Sequence, residues 1–173
     1  MKTTLVIALL LAAFGAQAQA AKDHFQKGIA LHRQQEYKAA IHDYSKAIKA
    51  DKEFTEAYYN RGTCYLGLKD YKAAILDFTK ALELDADFAK AYYTRATVRV
   101  GQNDFAGALP DLDKAIALDP KLPNALTLRG QILAQTNNLR RACDDFNAAL
   151  QNGDPKALEY LEKYCKMEGG DGK

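Results

Sequence analysis

The sequence repeats itself with a period of 34 residues. Thr55–Phe88, TEAYYNRGTCYLGLKDYKAAILDFTKALELDADF, falls onto Ala89–Leu122 when shifted forward by that period and onto Ala21–Phe54 when shifted back. A looser fourth copy runs from Pro123 to Lys156. A period of this length does not close one central core; it marks a two-helix unit that buries its apolar face by stacking on its neighbours. The expected fold is therefore all-α, a helix-turn-helix solenoid of four units over 21–54, 55–88, 89–122 and 123–156, with a capping helix over 155–166 and a tail over 167–173.

Helical periodicity within each unit places helices near 22–33 and 37–50, 56–68 and 71–84, 90–101 and 105–118, and 124–135 and 139–151. Asp70, Asp104 and Asn138 precede second helices, where such side chains accept orphan N–H groups; Glu36 holds that place in the first unit and is a poorer cap. Gly67 and Gly101 stand where first helices must end. Asp154 followed by Pro155 reads as the cap and first residue of the last helix. Pro110, inside a second helix and near Gly107, predicts a late start or a kink there.

Small residues recur wherever two helices must approach. Ala40, Ala74, Ala108 and Ala142 share one register, Ala47, Ala81, Ala115 and Ala149 another, and Gly28, Gly62, Ala96 and Gly130 face them from the first helices. Large residues alternate with them: Tyr37, Tyr71, Phe105 and Leu139 at one level, Tyr44, Phe78, Leu112 and Phe146 at the next. This alternation lets helices interlock at interior packing density.

The period and the spacing of these Gly/Ala, Tyr, Ala, Phe and Ala positions resemble the tetratricopeptide repeat, from Ala21 to about Lys166. The resemblance implies a right-handed solenoid and a binding role rather than catalysis. The family's Trp position holds His24, Tyr58, Tyr92 and Leu126 here, and its usual Pro at the end of the second helix appears only as Pro120.

One departure is regular. Where the family often has Leu, this chain has Lys27, Arg61, Arg95 and Arg129, and each paired helix carries an acid: Asp43, Asp77, Asp111 and Asp145. Matched charges in all four copies predict structural ion pairs within or between repeats, for which the planar Arg fork suits a carboxylate better than Lys does. The alternative is that Arg61, Arg95 and Arg129 grip an acidic ligand.

The resemblance places groove positions at Lys22, Phe25, Ile29, His32 and Arg33 in the first unit, and at Glu56, Tyr59, Thr63 and Leu66 in the second. Lys90, Tyr93, Thr97 and Val100 follow in the third, and Asn124, Thr127, Gln131 and Gln135 in the fourth. Phe25, Tyr59 and Tyr93 then form an aromatic track with threonine hydroxyls beside it, suited to a peptide. Some family members clamp a C-terminal carboxylate with Lys, Asn, Asn, Lys and Arg. Asn60 and Lys90 match that clamp, but Phe25, Ile29 and Thr94 occupy its other positions, so it is incomplete.

Cys64 stands alone on a first helix and is expected to be a buried thiol. Cys143 opens the last second-type helix and Cys165 closes the antiparallel helix after it, so a disulfide between them is expected, with two free thiols as the alternative. Closing that loop of about 22 residues adds on the order of 3 kcal/mol.

Ahead of the repeats, Lys2, the apolar run Leu5–Phe14 and the small-x-small sites Ala16-Gln17-Ala18 and Ala18-Gln19-Ala20 have the layout of a cleaved secretory leader over 1–20. The apolar run is too short for a core that needs about 20 residues, so the mature chain is expected to be exported, periplasmic or secreted, soluble, and without a membrane span. The formal charge of +2 with no basic stripe argues against nucleic acid. His24, His32 and His42 lack metal-ligand spacing, and no phosphate loop follows a strand, so neither metal, cofactor nor enzyme activity is expected. The function expected is a non-catalytic adaptor of the cell envelope with a protein or peptide partner. The alternative is a structural subunit engaging partners through its edges or ends, and self-association through the first repeat stays open.

Overall fold

The computed structural model describes residues 2–165, with side chains from Gly15 onward. Lys166 and the expected tail over 167–173 lie outside the described residues, as do the side chains of Lys2 and Leu5–Phe14 in the expected leader. The architecture is all-α, a helix-turn-helix solenoid with a capping helix. Its elements are α1 (Lys2–Arg33), α2 (Tyr37–Ala50), α3 (Thr55–Gly67), α4 (Tyr71–Leu84), α5 (Ala89–Gly101), α6 (Phe105–Leu118), α7 (Ala125–Gln135), α8 (Leu139–Gln151) and α9 (Lys156–Tyr164).

Most boundaries match the periodicity to within a residue or so, and α1 is the exception. The expected leader and the first repeat helix form one element, because the Ala- and Gln-rich stretch over 16–21 contains good helix formers and no terminator. Of the late start or kink expected from Pro110, the late start does not occur, since α6 begins at Phe105. Asp104 accepts the Gly107 N–H at 2.9 Å and fixes the first turn of α6, while Arg99 donates to the Gly107 carbonyl at 2.8 Å beside the proline. Asp70 caps α4 through the Ala73 N–H at 3.1 Å, whereas Asn138 makes no side-chain cap bond to α8.

The turn within each repeat uses a device that the glycines did not announce. Gln35, Lys69, Asn103 and Asn137 adopt left-handed backbone with φ of 62, 62, 60 and 61°. The next residue then donates its N–H back into the helix: Glu36 to Leu31, Asp70 to Tyr65, Asp104 to Arg99 and Asn138 to Leu133, at 2.7–3.0 Å. Such caps satisfy carbonyls that the ended helix leaves open. Gly67 is the last residue of α3 and lies ahead of the left-handed one; a Cβ there would meet the Tyr37 ring at 2.8 Å, so close packing is what requires glycine.

The chain divides into two compact units, Met1–Ala86 and Asp87–Lys173. Nearest-neighbour packing is what a repeat array allows, so each unit has its own core. In the first, Tyr44 and Phe78 are fully buried, and a Cβ on Gly28 or Gly62 would lie 2.6 or 2.8 Å from those rings. Phe25 packs on Tyr44 and Phe54 with ring centroids 5.7 and 4.6 Å apart. In the second, Gly130 makes room for Phe146 in the same way, while Ala96 is accommodated because the shorter Leu112 replaces the aromatic ring. The other large level is less enclosed: Tyr71 and Leu139 are exposed at the surface.

The capping helix α9 closes the second unit. Tyr160 and Tyr164 stack on Phe146 with centroids 5.2 and 6.4 Å apart, and Ala157 is fully buried. Cys143 and Cys165 form the expected disulfide, with Cα atoms 5.7 Å apart, joining the start of α8 to the end of α9.

Candidate functional site

The paired charges come together as a structural ladder. Arg61 donates through Nε and Nη2 to the two oxygens of Asp77 at 2.8 and 2.7 Å. Arg95 does the same to Asp111 at 2.9 and 2.6 Å, and Arg129 to Asp145 at 2.8 and 2.7 Å. The three carboxylates are buried, and all are engaged on both oxygens. These bonds raise the Arg61 and Arg129 pKa above the ordinary value, through Asp77 and Asp145 respectively. A grip on an acidic ligand is therefore not what these arginines are arranged for.

The ladder also runs between repeats. Arg61 bonds Ser45 at 3.0 Å, and Arg129 bonds Asp113 at 2.7 Å, each 16 residues back along the chain. That register holds Ser45, Thr79 and Asp113, a polar series whose signal was present in the sequence. Arg99, a further cation on Asp111 at 2.7 Å, had no repeat signal to betray it. The first rung is the loosest, with His24 Nδ1 and Lys27 Nζ at 3.1 and 3.5 Å from Asp43 and the Lys27 side chain 65% exposed. Tyr58 and Tyr92, at the family's Trp position, lie beneath the Arg61 and Arg95 guanidinium groups at 5.6 and 5.7 Å.

The groove positions separate by depth. In the first unit Lys22 is exposed, while Ile29, His32 and Thr63 are half-buried. His32 meets the Tyr37 ring edge-on at 5.6 Å, and burial lowers its pKa. Phe25 belongs to the core around Tyr44 and Phe54. Tyr59 is only 8% exposed, with its ring 5.6 Å from Phe78, so this member of the expected track is a packing residue rather than an open contact.

In the second unit Lys90 and Thr97 are exposed, and Tyr93 and Gln131 are half-buried. Thr127 departs from expectation. It is 4% exposed and donates its hydroxyl to Asp154 at 2.5 Å, which ties α7 to the turn before α9 instead of presenting a ligand contact. The hydroxyls of Thr63 and Thr97 donate to the carbonyls of Asn60 and Tyr93 at 2.7 and 2.9 Å, so each offers acceptor capacity and a methyl group. Among the described residues, no group of three or more His, Cys, Asp or Glu side chains is placed to hold a metal ion. Cys64 is buried, and loss of solvation pushes its thiol up to about 12.

Comparison with known proteins agrees with this geometry. Family models described as the tetratricopeptide repeat match residues 28–69, 55–88 and 93–164. No curated protein sequence matches the chain. Among solved structures, the first such domain of Spaghetti (RPAP3), bound to an HSP90 peptide, is 27% identical, with 69% of this chain and 95% of that one covered and a TM-score of 0.67. YrrB, described as having an unusual peptide-binding site, is 26% identical over 86% of each chain, with a TM-score of 0.70. MamA from Desulfovibrio magneticus shares the fold, with a TM-score of 0.77 at 22% identity over 84% of this chain and 83% of that one.

Proposed function

Since the chain belongs to the tetratricopeptide-repeat family, we propose that it is a non-catalytic protein-interaction module holding a peptide or extended protein segment against the first helices of its repeats. The observation that carries this reading is a division of labour within each repeat. The arginine and aspartate of the ladder, the glycines and the large rings are spent on packing. Of the groove positions, Lys22, Ile29, His32, Arg33, Glu56, Thr63 and Leu66 stay accessible in one unit and Lys90, Tyr93, Thr97, Val100, Gln131 and Gln135 in the other. A surface that mixes apolar, polar and charged groups suits a polypeptide, whose backbone needs hydrogen-bonding groups and whose side chains need apolar contact. The peptide-bound RPAP3 domain and YrrB support the same use of the fold.

The carboxylate clamp is incomplete, with Phe25, Ile29 and Thr94 at its other positions, so the segment is held by means other than a fully clamped C-terminus. We place the protein in the cell envelope. The leader layout over 1–20 supports this, and the Cys143–Cys165 disulfide suits an oxidising compartment. Among the described residues no helix is long and apolar enough to cross a membrane.

A second reading, engagement through edges or ends, is favoured by the exposed Leu76 and Leu158 at 63% and 51%. Photocrosslinking in cells separates the two. A benzophenone side chain at Thr63, Thr97 or Gln131 is expected to capture a partner, and one at His42, Leu76 or Arg140 is not. Crosslinks arising only from the latter set would sink the first-helix reading.

A further inference from the structure

The four repeats do not fill their aromatic registers equally. In the first repeat, the Phe25 and Phe54 rings pack against each other, tilted, with centroids 4.6 Å apart. The same two registers in the fourth repeat hold Thr127 and Lys156, so both rings are missing. Moreover, α7 begins two residues later in the repeat frame than α3 and α5, because Pro123 and the left-handed Asn124 (φ 62°) stand where a first turn would be. The result is a cavity of about 250 Å³. The buried Leu126, Thr127 and Ala149 form its floor, and the exposed Lys121, Pro123, Asn124, Asn152 and Pro155 line its mouth.

The chemistry of the floor selects an occupant. Thr127 gives its hydroxyl to one oxygen of Asp154 at 2.5 Å, and the other oxygen accepts the Lys156 N–H at 3.0 Å. The polar groups at depth are thus engaged with each other; Leu122, Leu126, Ala149 and the two prolines supply apolar surface, while Lys121, Asn124 and Asn152 add polar groups to the lining. The volume falls below the roughly 300–1,000 Å³ of sites that enclose a whole small ligand. It is suited to one side chain entering from a backbone that meets Asn124 and the Asn152 side-chain oxygen at the mouth, the Asn152 side-chain N–H being given to the Pro120 carbonyl at 2.8 Å.

We propose that this cavity is a specificity pocket for a single aromatic residue, phenylalanine or tyrosine, of the segment bound on the second unit. The ligand supplies the ring that the first repeat supplies from within. The proposal rests on the reading that the first-helix faces hold a polypeptide, and it adds the residue class that one subsite requires. Aromatic rings bring large apolar area at low entropic cost, which makes them the side chains that such a pocket rewards most.

The test is NMR on the full chain, titrated with N-acetyl-phenylalaninamide and N-acetyl-tyrosinamide, with N-acetyl-lysinamide as control. Saturable shifts at Leu126, Thr127 and Gly153 are expected with the aromatic amides alone, together with intermolecular NOEs from ring protons to the Leu126 and Ala149 methyls. Thr127→Tyr restores the missing ring and is expected to weaken binding roughly tenfold or more. Thr127→Val removes only the hydroxyl and is expected to retain it. Equal binding of the lysine amide, absence of the NOEs at the solubility limit, or unchanged binding by Thr127→Tyr overturns the pocket. Should Thr127→Tyr fail to fold, the wild-type NOEs decide. Crosslinks from Thr97 or Gln131 without NOEs remove the pocket alone; NOEs without crosslinks overturn its role in holding a segment.

Discussion

Asp77→Ala and Asp145→Ala delete the same residue from the same register, yet their surroundings make them unequal. The Asp77 carboxylate accepts two bonds from Arg61, at 2.8 and 2.7 Å, and the Arg61 side chain is 19% exposed. Truncation leaves that largely desolvated guanidinium with the neutral Ser45 hydroxyl at 3.0 Å and the face of Tyr58. Removing one partner of a buried pair costs about 3–5 kcal/mol, much of it the penalty of the stranded charge. Asp145 holds Arg129 with the same geometry, but Arg129 also has Asp113 at 2.7 Å. The Asp113 side chain is 53% exposed, so its compensation is that of a solvent-screened pair, at most about 1 kcal/mol.

Asp145→Ala is therefore expected to cost about 1 kcal/mol less than Asp77→Ala, and Asp113→Ala alone less than about 1 kcal/mol. Urea denaturation followed by circular dichroism, with the slopes compared, reads each change. The Asp113→Ala/Asp145→Ala double variant is expected to lose more than the sum of its parts, since each single variant leaves the other carboxylate on Arg129. Equal losses for the two buried aspartates, together with zero coupling in the cycle, would refute the account of Arg129 as a bridge held from both sides.

Four further outcomes follow from particular contacts. Gly62→Ala places a methyl 2.8 Å from the Phe78 ring and is expected to lose about 1–3 kcal/mol by overpacking, with Phe78→Leu in the same chain recovering part of it, as Ala96 opposite Leu112 implies. Tyr44→Phe removes the one buried side-chain polar atom left without a partner among the described residues, and is expected to raise stability by about 1 kcal/mol in urea titration. Thiol titration of denatured, unreduced protein is expected to find Cys64 alone, and the native protein to react slowly, because that thiol is buried and pushed up to about 12. Burial lowers the His32 pKa, so the folded state favours the neutral ring; that contribution is complete above about pH 6.5 and declines as pH falls below it. Thermal melts of His32→Gln against the parent chain at pH 7.5 and 5.5 should show a smaller acid-induced loss in the variant.

Much of this was legible because a repeat reports each packing position several times. The alanine registers, the Asp70 and Asp104 caps, the ladder and the Cys143–Cys165 bridge follow from spacing and from antiparallel neighbours. What the sequence hid was depth. Tyr59 and Tyr93 share a register, but Tyr59 lies 8% exposed against Phe78 while Tyr93 remains half-open. A register fixes the face of a helix; the size of the neighbouring side chain decides whether that face is reached by water. The left-handed turn residues were hidden for another reason. Gln35 and Lys69 have no intrinsic preference for positive φ, and the following N–H groups bonded back into the helix are what hold them there.

Volume bookkeeping across the helix pair distinguishes positions kept for the fold from those released for a ligand. Where one repeat gains a methyl at Ala96, it loses a ring at Leu112, and the core stays closed. Where the others have Gly28, Gly62 and Gly130, the opposing side chains are the full rings of Tyr44, Phe78 and Phe146. Those substitutions compensate because any residual void would lose contacts on both of its walls. The change at Thr127 and Lys156 is not compensated: two ring positions became small or polar, and the cavity beside them was left open. Selection for stability alone would favour covering the apolar part of such a cleft, since apolar area removed from water stabilises. An unfilled gap with satisfied polar atoms at its floor and amide side chains at its mouth is the arrangement expected where the last side chain belongs to another molecule.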